Sequence, residues 1–188
     1  MPADVQDDLA LIETGLFSNC LAARQEVVVS NIFPIVNLTD VEQEAYGQGD
    51  DFAAILARVG QHLGSKKIGI TLVELDPGKK AWPYHLHFGQ EEMFVILEGH
   101  GTLRYDDKHY ELSTGDVALT PAGPNTAHQI INTSEHKLRY LALSSKDDPE
   151  VCYYPDSDKI GAYAGEHPGR ELTFLARKEN ATDYWDRE

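Results

Sequence analysis

The 188-residue sequence is poor in cysteine and contains no long apolar run. Its two cysteines, Cys20 and Cys152, lie far apart and fit neither a disulfide framework nor a C-x-x-C redox or zinc motif, so we expect reduced thiols. No apolar run approaches the length of a membrane span, and the acidic N-terminal stretch lacks the cationic segment of a signal peptide. These absences predict a soluble, cytoplasmic protein that has no membrane as a partner.

Basic residues are also scarce. The sequence has 16 Lys and Arg against 31 Asp and Glu, which gives a formal net charge of −15, and no basic stripe stands out. A protein of this sign repels the phosphates of nucleic acids and anionic lipid headgroups. We therefore expect a small molecule, and not nucleic acid, as the partner.

From Lys67 onward the sequence is typical of short β-strands. Alternating apolar segments such as KIGITLVELDPG are separated by frequent turns, which indicates an all-β sandwich or barrel. We expect the segments MFVILEG and GTLRYDD to pair with each other across residues 98–101. A second hairpin should follow at Asp106 and Asp107, before KHYELSTGD.

Two segments before this region carry different patterns. Residues 52–63 predict a helix on the flank of the barrel, because five apolar side chains stand at helical spacing: Phe52, Ile55, Leu56, Val59 and Leu63. Residues 27–38 are rich in β-branched side chains and interrupted by Pro34, which predicts an edge strand. Because an exposed apolar edge invites pairing, this arm predicts a homodimer.

A candidate metal site lies in residues 78–99, GKKAWPYHLHFGQEEMFVILEG. Side chains alternate along a strand, so His85 and His87 share a face, and two imidazoles on one face can bind one metal ion. The following loop brings Glu91 or Glu92 to the start of the next strand as a third ligand. Imidazole with carboxylate suits one divalent Zn, Mn, Fe or Ni ion, and the absence of cysteine here argues against a closed thiolate site. A fourth ligand should come from elsewhere.

A second stretch, GDVALTPAGPNTAHQIIN at residues 115–132, joins a tight turn, a short strand and a Pro/Gly corner. Together the two stretches resemble the two signature motifs of the cupin superfamily, over roughly residues 66–145. The resemblance implies a double-stranded β-helix, or jelly-roll barrel, with one metal held by His, His and Glu of the first motif and His of the second. Motif matching then selects Glu92, seven residues before Gly99, with His85, His87 and His128 as the other ligands, and leaves Glu91 as a solvated or second-shell neighbour.

This interpretation divides the chain into an N-terminal arm with a flanking helix (1–65), the cupin barrel with its metal site (66–145) and a C-terminal extension packed on the barrel (146–188). The extension resembles the tail of a group of bacterial cupins with a YPDS-x-K motif and a terminal YW pair, some of which carry the label sugar phosphate isomerase on resemblance alone. The matching residues are Tyr154, Pro155, Asp156, Ser157, Lys159, Tyr184 and Trp185. A structural interpretation is favoured for them: a turn, and an aromatic anchor that holds the tail on the barrel or on a partner subunit.

The cavity around such a metal should have an apolar floor. Residues two positions beyond a ligand share its face, so Phe94, Ile96 and Ile130 are expected to line the pocket. Three imidazoles and one carboxylate would leave a divalent ion with a formal charge near +1 and with free coordination positions.

Three functions fit this arrangement. The first is a sugar or sugar phosphate isomerase, supported by the tail and by Lys79 and Lys80, which could attract a phosphate at the rim. The second is an iron-dependent dioxygenase of a small aromatic or thiol substrate, favoured by the apolar lining and by the ligand set found in cupin dioxygenases. The third is a non-catalytic module that binds a small ligand. The weak candidates for a proton-transfer base are Glu91, Tyr84 and Tyr105.

Overall fold

The computed structural model describes residues 34–165 and 170–187, and over these residues the regular structure is almost all β-strand. The strands are β1 (Gln43–Gln48), β2 (Phe52–Ala57), β3 (Ile68–Leu75), β4 (Leu86–His87), β5 (Glu92–Glu98), β6 (His100–Tyr105), β7 (Lys108–Ser113), β8 (Val117–Thr120), β9 (His128–Ile131), β10 (Leu138–Ser145), β11 (Glu150–Tyr154), β12 (Lys159–Ala164) and β13 (Leu172–Arg177). Within residues 34–165 and 170–187, helical structure is limited to α1 (Val59–His62) and to three-residue 3-10 helices at Leu38–Asp40, Pro155–Ser157 and Lys178–Asn180. The expected all-β fold is confirmed.

The strands form three sheets. The largest has six strands in the order β1-β2-β3-β10-β5-β8, the second has four in the order β13-β12-β11-β4, and the third has three in the order β7-β6-β9. All pairings within the sheets are antiparallel. Strands that are neighbours in a sheet are often distant in sequence, so most of the fold depends on non-local pairing.

The main core lies between the six-stranded and three-stranded sheets. Its members alternate along their strands, so each strand presents one apolar face inward. They are Ala54, Leu56, Val73, Leu75, Ala81, Phe94, Ile96, Leu103, Leu112, Ile130, Leu138 and Tyr140. Burying one Leu, Ile, Val or Phe side chain of this kind contributes about 1.5–3 kcal/mol.

The predicted helix at residues 52–63 is wrong. Residues Phe52–Ala57 form β2, which lies between β1 and β3, and only Val59–His62 are helical. The run FAAILA is apolar almost throughout, because β2 has Leu56 in the main core and Ala57 in a second cluster with Val59 and Leu72. A strand buried on both faces carries a continuous apolar run, which also satisfies helical spacing.

The expected pairing of β5 with β6 is also wrong. Strand β5 pairs with β10 and β8, whereas β6 pairs with β7 and β9. The single residue between them, Gly99, turns the chain from one sheet into the other. The hairpin of β6 and β7 is confirmed, and its turn residues Asp106 and Asp107 have φ angles of 46° and 58°.

The predicted edge strand and the predicted aromatic anchor lie towards the two ends of the chain. Residues 27–33 of the predicted edge strand and Cys20 lie outside the described residues, and no strand is assigned between Pro34 and the 3-10 helix at Leu38–Asp40. At the other end, Tyr184 and Trp185 contact each other edge to face but are 83% and 73% exposed, so within the described residues they do not anchor the tail on the barrel. In the described part of the chain, no helix is long and apolar enough to cross a membrane.

We expect Gly99→Ala to lower the free energy of unfolding by roughly 2–4 kcal/mol, because backbone strain and overpacking act together. Gly99 has a φ of +88°, and an added Cβ would press against the backbone of Lys137 and Leu138. Urea denaturation measures the loss. Gly78→Ala is the control: its φ is +75°, but a Cβ there meets no heavy atom within 4 Å, so only about 1 kcal/mol should be lost. Equal losses in the two variants would contradict this account of the corner.

Candidate metal centre

Two histidines are brought together by the backbone. His85 and His128 form an isolated antiparallel bridge, in which the His85 N–H donates to the His128 carbonyl at 3.1 Å and the His128 N–H donates to the His85 carbonyl at 2.7 Å. Their ring centroids are 4.8 Å apart. His87 follows on the same face, with its ring 4.9 Å from that of His85.

The carboxylate arrives from a different sheet. Glu92 opens β5, where it pairs with Ser144 of β10 and Thr120 of β8. Its Oε2 atom lies 2.7 Å from Nε2 of His128, 3.4 Å from Nε2 of His87 and 3.9 Å from Nε2 of His85. We refer to His85, His87, Glu92 and His128 as the ligand cluster.

These distances fit a common ion. Donor atoms about 2.0–2.2 Å from one metal lie about 2.8–3.6 Å from each other in octahedral or tetrahedral geometry. The contact of Glu92 with His87 lies in this range, and its contacts with His128 and His85 lie just below and just above it. The Nε2 atom of His87 is buried and makes no hydrogen bond, so a donor atom is left facing Glu92. The residues therefore fit a divalent ion bound by three imidazoles and one carboxylate.

The other nitrogen of each ring faces a fixed acceptor. Nδ1 of His85 lies 2.8 Å from the Pro83 carbonyl, and Nδ1 of His128 lies 3.0 Å from the Thr126 carbonyl. Nδ1 of His87 lies 3.3 Å from Oε1 of Glu150. When a ring donates its Nδ1 proton to such an acceptor and is otherwise neutral, its Nε2 has a lone pair that could bind a metal ion.

Burial and hydrogen bonding shift the pKa values in opposite directions. Burial lowers the pKa of His85 to about 3, so this ring is neutral at physiological pH. For His87 burial also lowers the pKa, but the hydrogen bonds to Cys152 and Glu150 and the negative charge of Glu92 outweigh burial and raise it to about 12. Burial raises the pKa of Glu92, but the hydrogen bond from His128 and the positive charge of His87 hold it well below its usual range. Without a metal, the cluster therefore holds a proton on His87 beside an ionised Glu92.

The positions of Glu91 and Glu92 relative to the three histidines differ. The side chain of Glu91 is exposed and outside the cluster, while Glu92 lies within it. Tyr84 points the other way: its hydroxyl accepts a hydrogen bond from the Asp107 N–H, and its ring lies beneath Arg104. Tyr105 packs against the main core. Tyr105 is also the cross-strand neighbour of His128 in the pairing of β6 with β9. Among the described residues, no side-chain hydrogen bond joins Glu91, Tyr84 or Tyr105 to the ligand cluster, and the choice of a base stays a prediction.

The three residues expected to line the pocket are deeply buried. Phe94, Ile96 and Ile130 all belong to the main core, and the Phe94 ring lies 5.6 Å from the ring of His128. They form apolar packing beneath the cluster. Their contact with a ligand stays a prediction.

Residues of the C-terminal extension surround the cluster, and the sequence interpretation missed this role. Strand β11 pairs with β4, with Cys152 opposite His87. Glu150 and Cys152 both contact the His87 ring, and the Tyr154 ring stacks on His85 at 5.9 Å with an interplanar angle of 20°. The sequence did hold a signal, since alternate residues of the segment EVCYY place these three side chains on one face.

Two other features bear on ligand binding. A surface cavity of about 500 Å³ is lined by residues of α1, β3 and the 144–150 segment, but by no member of the ligand cluster, so it is not the candidate site.

Lys79 donates to the Asp50 carbonyl, and Lys80 forms an ion pair with Asp51 at 3.5 Å. Because both lysines already have partners in the fold, the expectation that they attract a phosphate is weakened.

Comparison with known proteins gives consistent matches. The family model for the cupin domain matches residues 71–144. The chain is 28% identical to auxin-binding protein T85 of Nicotiana tabacum, over 96% of this chain and 91% of that protein. It is 31% identical to an oxalate-binding protein of Thermotoga maritima, over 52% of this chain and 77% of that one. The solved structure of a sugar phosphate isomerase from Silicibacter pomeroyi matches with a TM-score of 0.69 and 25% identity, over 81% of this chain and 98% of that chain.

We expect the purified protein to bind close to one divalent ion per chain, and replacement of any one member of the ligand cluster by alanine to deplete the ion. Removing one of four ligands weakens the site because the remaining donors must be completed by water. Elemental analysis after dialysis measures the content. Glu91→Ala is the matched control and should keep the metal; a wild-type protein without metal under replete conditions would contradict the assignment.

Metal binding should release protons. A cation must displace the proton on His87, whose pKa is raised to about 12, so zinc uptake at pH 7 should release about one proton and the affinity should rise about tenfold per pH unit. Calorimetry in buffers of different ionisation heat measures the release. The control His109→Gln replaces an exposed histidine and should leave the number of released protons unchanged. A binding heat that does not depend on the buffer would contradict the prediction.

Proposed function

This chain belongs to the cupin superfamily, and we propose that it binds one divalent metal ion through the ligand cluster and acts on a small molecule as a sugar or sugar phosphate isomerase. One observation carries the metal-dependent part of the proposal. Three Nε2 atoms converge on Oε2 of Glu92, while every Nδ1 faces a fixed oxygen acceptor. In such an arrangement the three Nε2 atoms and the carboxylate face one another and could bind a single ion.

A divalent ion bound there would polarise a carbonyl or hydroxyl oxygen of the substrate. We propose Tyr154 as the protein group that orients the substrate beside it, because its ring stacks on His85. Burial, followed by the hydrogen bond with the Tyr163 hydroxyl at 3.1 Å, raises the pKa of Tyr154. The hydroxyl therefore stays protonated and serves as a hydrogen-bond donor to a substrate oxygen.

The isomerase reaction is supported by the similarity to the Silicibacter pomeroyi protein, which extends over 98% of that chain. The tail motif adds a cation at a suitable place. Nζ of Lys159 lies 5.4 Å from the centre of the Tyr154 ring, and we propose that it takes the phosphate-binding role first expected of Lys79 and Lys80. The motif residues Tyr154 and Lys159 would thus serve both the fold and the ligand.

A ligand-binding module without catalysis is the second candidate. It is favoured by the aromatic side chains around the cluster and by the similarity to proteins that are named for binding oxalate and auxin. The iron-dependent dioxygenase remains a hypothesis from the ligand set. The homodimer, the cytoplasmic location and the division at residues 65 and 145 also stay predictions.

A metal-exchange experiment tests these functions. The protein is stripped, reloaded with Zn, Mn or Fe(II), and assayed with sugar phosphates and with small phenolic or thiol compounds, with and without air. An isomerase needs only a Lewis acid, so we expect Zn or Mn to support turnover of a sugar phosphate without oxygen. Tyr154→Phe should raise KM several-fold while the metal content stays the same, because one hydrogen-bond donor to the substrate is lost.

Two outcomes would overturn the isomerase. Oxygen uptake that requires iron and is coupled to substrate loss would indicate the dioxygenase. Saturable ligand binding without turnover under every metal would indicate the binding module.

A further inference from the structure

We propose that Glu150 is a positioning residue for the metal centre, holding the His87 ring from the side opposite the ion. The inference rests on the proposed metal site and deepens it. Glu150 lies outside residues 71–144, where the cupin family model matches, so the C-terminal extension would complete a centre whose four ligands come from the barrel.

The contacts of Glu150 converge on one oxygen. Its Oε1 atom lies 3.3 Å from Nδ1 of His87, accepts the N–H of Phe88 at 3.2 Å and lies 3.8 Å from Sγ of Cys152. The residue is only 3% exposed, and its Oε2 atom is buried without a hydrogen-bond partner. A carboxylate in this environment is retained at a cost in desolvation, which an apolar side chain would avoid.

The backbone builds this contact from two sides. Pairing of β11 with β4 puts Cys152 opposite His87, and because alternate residues of a strand share a face, Glu150 lies on the same side. Gly89 makes room for it, since a Cβ at this position would come within 2.8 Å of Oε2 of Glu150. A larger side chain at Gly89 would therefore push the Glu150 carboxylate away from the His87 ring.

Among the described residues, Glu150 forms an ion pair with His87, at Nδ1 of the ring. The other ring nitrogen of His87, Nε2, faces Oε2 of Glu92 at 3.4 Å. A carboxylate that accepts the Nδ1 proton fixes the tautomer and the ring orientation, and it makes Nε2 a stronger electron donor. A cation at the ligand cluster would share its charge through the imidazole with Glu150. The geometry therefore gives the buried carboxylate a role that packing alone does not explain.

The test uses the full chain with Glu150→Gln, which keeps the shape and removes the charge. Zinc affinity is measured by competition with a chelator, the ligand field by the visible spectrum of the cobalt(II)-loaded protein, and thermal stability with and without zinc. We expect a roughly 10–100-fold loss of zinc affinity and a shifted cobalt spectrum. Zinc should raise the melting temperature of the variant less than that of the wild type, each compared with its own metal-free form.

Two controls separate this role from a merely structural one. Glu74→Gln removes another partly buried carboxylate, which pairs with Arg139 at 3.0 Å, and should leave zinc affinity unchanged. Cys152→Ala removes the second neighbour of Nδ1 and should cost much less affinity than Glu150→Gln. If Glu150→Gln does not fold, Glu150→Asp keeps the charge but draws the carboxylate back, and lower zinc affinity would again support the inference.

The results can be assigned without ambiguity. Wild-type zinc affinity and an unchanged cobalt spectrum in Glu150→Gln or Glu150→Asp would overturn the positioning role while leaving the metal site intact. A loss of stability in the metal-free variant, with the zinc-induced stabilisation preserved, would overturn it in favour of a structural role. A wild-type protein that binds no zinc would overturn the proposed function, and with it this inference.

Discussion

The backbone bridge between His85 and His128 is the contact on which the candidate site depends. Two hydrogen bonds set these residues opposite each other, although 42 positions of sequence separate them. A slip of one residue in strand register would turn each side chain to the other face. The bridge also places His87, two residues beyond His85, on the correct side, so one pairing fixes the faces of three imidazoles.

Burial makes this constraint strict. The ligand cluster lies directly against the main core, with the Phe94 ring beside His128, and imidazole and carboxylate groups in such a place need defined partners. The carbonyls of Pro83 and Thr126 supply two partners from the chain immediately before each histidine. The third comes from Glu150, more than 60 residues away. The site therefore couples the local conformation of two loops to the pairing of a distant strand.

Alternation along single strands allowed much of this to be predicted from the sequence. His85 and His87 were placed on one face, and the strand β3 and the hairpin of β6 and β7 follow from local patterns. Non-local pairing was not accessible in the same way. The run at Phe52–Ala57 satisfied helical and strand periods alike, and only its place between β1 and β3 decides for the strand. The contact of Glu150 with His87 also depends on a non-local pairing, since the local sequence of the tail does not indicate that β11 pairs with β4.

The tail also changes the chemical character expected of the pocket. The Tyr154 ring of β11 stacks on His85, and the Tyr154 hydroxyl bonds to the Tyr163 hydroxyl of β12 at 3.1 Å, whereas an apolar lining is expected from the sequence. Phe94 and its neighbours form the packing beneath the histidines, whereas Tyr154 adds a polar group and a flat aromatic surface at their side. A ligand with oxygen atoms would suit both a metal ion at the ligand cluster and the Tyr154 hydroxyl, and the aromatic ring could pack against the apolar face of a sugar or of a planar acid. The same residues are therefore compatible with an isomerase and with a ligand-binding module. Because one fold can serve both functions, the reactivity of an ion bound at the ligand cluster is the property that would distinguish them.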